Sequence, residues 1–85
     1  MDTRVHGELV SAWLKRIVPE VIDKGGDEKD LLLLCEMILV GTLVVVRNVY
    51  KGDPHRALAL VTKQAEDKLT EYYETGKTGD IIIPR

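Results

Sequence analysis

The sequence predicts an all-α fold, a three-helix bundle built around one apolar central helix and followed by a short extended tail. Three observations carry this. Gly25-Gly26-Asp27 and Lys51-Gly52-Asp53-Pro54 are two stop-and-start signals that cut the chain into three pieces of helical length. The outer pieces repeat apolar residues at three-to-four-residue steps. The middle piece is apolar almost throughout.

The first helix is expected over about residues 3–24, with Val5, Leu9, Ala12 or Trp13, Ile17 and Val21 on one face and Arg4, Glu8, Lys15 and Arg16 between them. Pro19 lacks an amide hydrogen and its ring crowds the preceding turn, so a kink or a restart is expected at Pro19-Glu20. Glycine accepts the left-handed conformation at a helix C-terminus, which makes Gly25 and Gly26 the stop.

The second helix is expected over about residues 28–50. Asp27 is placed to cap it, and Glu28 and Asp30 favour the positive end of its dipole. From Leu31 to Val46 only Glu36 and Thr42 interrupt the apolar residues. The β-branched cluster Val44, Val45 and Val46 also fits a strand, but the cap, the leucine run and the length favour one helix. Glu36 and Arg47 fall about 20° apart on a helical wheel, with Lys29 on the same line. A helix apolar on its other faces is expected to be buried on most sides, more than two neighbours from one copy can supply. A buried ion pair between Glu36 and Arg47, or Lys29, of a second copy is expected with it. A membrane span is the competing reading of this run, but sixteen residues fall short of the roughly 20 that a bilayer requires, and Glu36 sits inside them.

The third helix is expected over about residues 54–75, with proline at its first position behind an aspartate cap. Its apolar line is Leu58, Val61, Ala65, Leu69 and Tyr72, opposite Lys63, Glu66, Asp67, Glu71 and Glu74, and Gly76 ends it. The tail, 77–85, carries Ile81, Ile82 and Ile83 before Pro84, an apolar triplet not expected to remain in water.

Eighty-five residues make one domain, with no linker, repeat or low-complexity tract. For a chain of 9.5 kDa, compact folding removes about 8,700 Å² from water. With about 60% of that area apolar, its burial supplies on the order of 130 kcal/mol. Ordering the chain at about 1.5 kcal/mol per residue costs much the same. A single copy therefore sits near break-even, and self-association as a dimeric helical bundle is expected.

A net charge of −2 and a pI near 5.6 give no electrostatic reason to expect nucleic acid or an anionic membrane as the main partner. Cys35 is alone, so no disulfide can form within one chain; it reads as a small core hydrophobe in a reducing compartment. The first residues lead into no apolar signal segment, and a cytoplasmic location is expected.

No residue set carries an evident chemistry. Gly76-Lys77-Thr78 resembles the end of a phosphate loop, but position 71 is Glu where the first glycine belongs, and the segment leaves a helix instead of opening one. The acidic pairs Glu20 with Asp23 and Asp27 with Asp30 are accounted for by capping and solvation. His6 and His55 lack a second ligand at metal-site spacing, and Ser11 lies mid-helix with no glycine elbow. No catalytic residue, metal or cofactor is expected.

The leading expectation is a small interaction module that binds and regulates another protein as a homodimer, with Arg47, Lys51, His55 and Arg56 around the second turn, and Ile81, Ile82 and Ile83 in the tail, as candidate contacts. A second expectation is a nucleic-acid-associated regulator that uses the Arg47 to Arg56 cluster. A third, weaker one is a metal-dependent nucleotide hydrolase built on the acidic pairs.

Overall fold

The computed structural model describes residues 1–77 and 79–83. Thr78, Pro84 and Arg85 lie outside the described residues, and with them the end of the phosphate-loop-like segment and the proline behind the isoleucine triplet. Three helices, and no strand among the described residues, run in the order α1 (Thr3–Asp23), α2 (Glu28–Tyr50) and α3 (Pro54–Thr75).

Each helix starts on an aspartate whose carboxylate takes up backbone N–H groups that the first turn leaves without partners. Asp2 accepts from the Val5 amide at 3.1 Å. Asp27 accepts from Lys29 at 3.0 Å and Asp30 at 3.4 Å, while its own amide donates to the Asp30 carboxylate at 2.8 Å, a reciprocal capping box. Asp53 accepts from His55 at 3.0 Å and Arg56 at 3.3 Å, with Pro54 behind it.

The ends differ more from expectation than the starts. α1 is not restarted at Pro19; it runs through as one helix to Asp23. The proline stands in the last turn and a half, where one lost amide donor costs little continuity. The Gly26 amide then donates to the Val21 carbonyl at 2.8 Å and the Gly25 amide to Ile22 at 3.0 Å, around a left-handed Gly25 (φ 77°). At the end of α2 the left-handed residue is Lys51 (φ 61°), not Gly52. Gly52 is held for a different reason: a Cβ there would lie 2.8 Å from Cγ1 of Val46.

The three helices are splayed. α1 touches α2 and α2 touches α3, but α1 and α3 do not touch each other. The radius of gyration is 14.2 Å, against about 12 Å for a compact chain of this length. The accessible surface is 7520 Å², against about 5,000 Å² for a compact protein of this mass. About 2,500 Å² that a close-packed bundle would remove from water therefore remains open.

No side chain of α2 is buried within the chain, in keeping with an apolar run too long for its own two neighbours to wrap. Two other expectations are corrected. Cys35 is exposed, not a core residue. On α3, Leu58, Val61, Ala65 and Leu69 are exposed, Leu58 at 37%, and of the expected apolar line Tyr72 is half-buried. What packing there is lies at intermediate depth: Leu14, Ile17, Val18 and Val21 on α1, Leu34, Leu39, Leu43 and Val46 on α2, and Pro54 and Ala57 at the start of α3.

The tail turns back to α1. Gly7 is the one buried residue among those described, and a Cβ placed on it would meet the Cβ, O and C of Asp80 at 2.4 to 2.7 Å. Four residues further along the same face, the Ser11 hydroxyl accepts a hydrogen bond from the Ile82 amide at 2.8 Å. Ile81 is half-buried there, whereas Ile82 and Ile83 point outward.

Candidate protein-binding face

The open side of α2 carries a continuous run of exposed apolar residues. Leu33, Met37, Val45 and Val49 are exposed to 53%, 61%, 51% and 63%. They are spaced by four residues on either side of Gly41, and with it they form a single row inclined to the helix axis. Ile38 and Val44 flank the row and are exposed as well. Gly41 has no atom of the chain within 4 Å of the position a Cβ would take, so nothing within the chain calls for glycine there. A glycine inside a helix costs roughly 1 kcal/mol relative to alanine, which makes its place at the centre of this face a feature to be explained.

A shallow cleft lies at each end of α2. The first, where α1 ends, is lined by Val21, Lys24, Gly25, Gly26, Asp30, Leu33, Leu34 and Met37. The second is lined by Arg47, Asn48, Lys51 and Gly52. The two ends carry opposite charge, Asp27, Glu28 and Asp30 at the first and Arg47, Lys51 and Arg56 at the second.

The structure brings only part of the expected basic cluster together. Arg47 and Lys51 share the second cleft, and the Lys51 ammonium donates to the Asn48 carbonyl at 3.1 Å, which places it over the negative end of α2. His55 and Arg56 stand outside the cleft on the first turn of α3, where their amides serve the Asp53 cap. Glu36 and Arg47 do not pair within the chain: they lie eleven residues apart on one rigid helix, about 16 Å along its axis, and both are exposed. Their line also faces about 130° away from Gly41.

The acidic pairs do not converge on a metal site, and no group of three metal-ligating side chains comes together among the described residues. Asp27 and Asp30 are engaged in their capping box, and Glu20 lies 3.8 Å from the Arg16 guanidinium. No helix is long and apolar enough to cross a membrane. The residue of this face that composition and periodicity passed over is Gly41, a glycine in mid-helix flanked by apolar residues at four-residue steps on both sides. The chain matches no known protein family, no curated protein and no solved structure.

Proposed function

We propose that this chain is a small helical interaction module that works by holding a partner protein, and that it does so as a homodimer joined through the open apolar face of α2. The observation that carries this is the 7520 Å² surface. It exceeds that of a compact chain by about 2,500 Å², roughly three times the 800 Å² per partner of a standard stable interface. On α2 the exposed residues are largely apolar, Leu32, Leu33, Met37, Ile38, Val40, Val44, Val45 and Val49 among them, and an extended exposed apolar patch marks a contact surface.

The outward-facing Ile82 and Ile83 of the tail, with His55 on the first turn of α3, are the contacts left for a further protein once α2 is covered. The cytoplasm is the compartment that suits an exposed single cysteine.

Sedimentation equilibrium of the full chain at micromolar concentration tests the self-association. A dimer mass independent of salt from roughly 50 to roughly 500 mM, a range that separates charge-driven from apolar association, is the expected result. A compact monomer at about 100 µM, far above the range in which obligate dimers persist, overturns it.

A further inference from the structure

From the open face of α2 we infer the geometry of the contact: a second copy of this chain crosses α2 antiparallel, with the two-fold axis passing at Gly41. The inference rests on the self-association proposed above and adds where and in which sense the two chains meet.

Three observations on α2 share one centre. The exposed row Leu33, Met37, Gly41, Val45 and Val49 has the glycine in the middle. Each step along it turns by about 40°, so Met37 and Val45 flank Gly41 on the contact side while Leu33 and Val49 stand at its two margins. A two-fold rotation about Gly41 sets Met37 of one copy against Val45 of the other, a longer side chain facing a shorter one on each side of the crossing point. A patch that complements itself under a two-fold rotation is what an isologous contact requires.

The clefts agree with the same centre. One occupies positions 30–37 of α2 and the other positions 47–52, on either side of Gly41. The antiparallel sense brings Val45 of one copy towards Met37, at the rim of the cleft lined by Val21 and Leu33 of the other. It also places the acidic end, Asp27, Glu28 and Asp30, at the same end of the pair as the basic Lys51 and Arg56. A parallel crossing would set like charges at like ends, which repel, and would align the two helix dipoles.

Gly41 supplies the room. Helices normally pack with axes 8–10 Å apart, at a distance set by the side chains at the crossing point. With no side chain on either helix at that point, the flanking rows reach the opposing backbone. The open space around the Gly41 Cα is then the place of the second backbone, and the Glu36 and Arg47 line stays on the solvent side of the pair.

Disulfide trapping in a Cys35→Ser background, with an added thiol oxidant, tests this. Gly41→Cys is expected to cross-link to a covalent dimer, because a residue on the axis meets its own copy. A mixture of Met37→Cys and Val45→Cys chains is expected to link to each other and not to themselves. Glu36→Cys, on the far side, is expected to stay monomeric on denaturing gels. Gly41→Leu is expected to weaken the dimer by at least about 100-fold in sedimentation, the scale of losing a central contact. It introduces no clash within its own chain.

If the wild-type chain is a dimer but Gly41→Cys does not link and Gly41→Leu remains dimeric, the crossing is overturned while the self-association stands. If Met37→Cys links to itself and not to Val45→Cys, the antiparallel sense is overturned. A monomeric wild type removes both.

Discussion

Gly7 and Gly41 are the two glycines inside helices, and their surroundings are opposite. At Gly7 the chain's own tail fills the space that a side chain would need, down to 2.4 Å from Asp80. At Gly41 there is nothing within 4 Å. Both positions carry the same helical penalty, of roughly 1 kcal/mol. The first offsets it with a contact visible within one chain; the second has no such return inside the protomer. The lesson is that a helical glycine points to a close neighbour, and where that neighbour is missing from the chain, the search moves to a second molecule.

The most severe way to break this contrast is a charge beside Gly41. Val45→Asp is expected to weaken self-association by about 2–4 kcal/mol, since an unpaired carboxylate would have to be buried between two apolar rows. Sedimentation of the variant reads the effect directly, and an unchanged dimer would mean that this side of α2 is free in the working protein.

On the other side of the comparison, Gly7→Ala would strengthen α1 by roughly 1 kcal/mol if the tail were absent. With the tail in place, the added methyl meets Asp80 and the expected result is a net loss of about 1–2 kcal/mol. Hydrogen exchange at the Ile82 amide should rise with it, as that amide leaves the Ser11 hydroxyl. A higher melting temperature with an unchanged Ile82 amide would show that the tail does not depend on this approach.

Gly25 provides the mildest comparison, because only its backbone angle calls for glycine: φ is 77° and no atom lies within 4 Å. Gly25→Ala is expected to cost about 1 kcal/mol through left-handed strain alone. Gly25→Asn should cost less, since asparagine tolerates that conformation. Thermal melts of the two variants separate them, and equal losses would mean that something other than the angle is at stake.

What was legible in the sequence was local. Asp27 with Asp30, and Asp53 with Pro54, mark helix starts through contacts two or three residues away, and both appear as read. The three-helix, all-α class follows from them. What was not legible depends on contacts distant in sequence. The splaying of α1 and α3, which leaves Cys35 and α2 open, is set by the angles at two short turns. At the second turn the left-handed residue is Lys51, and what calls for glycine at 52 is the side chain of Val46, six residues back. The return of Asp80 and Ile82 to Gly7 and Ser11 spans 71 residues or more and leaves no local pattern. For the candidate face, its apolar character was readable from Leu31 to Val46, but which side of the helix stays open was not, because that depends on where α1 and α3 leave it.

The bond from Ile82 to Ser11 acts as a clasp on an open bracelet. Closing so long a loop in a flexible chain costs about 4 kcal/mol of entropy, more than one hydrogen bond returns. The clasp can therefore shut only when three stiff rods and two set corners already bring its halves together. A few degrees of change at either corner, carried along some 30 Å of helix, would pull it apart, so the Ile82 amide serves as a gauge of both bends at once.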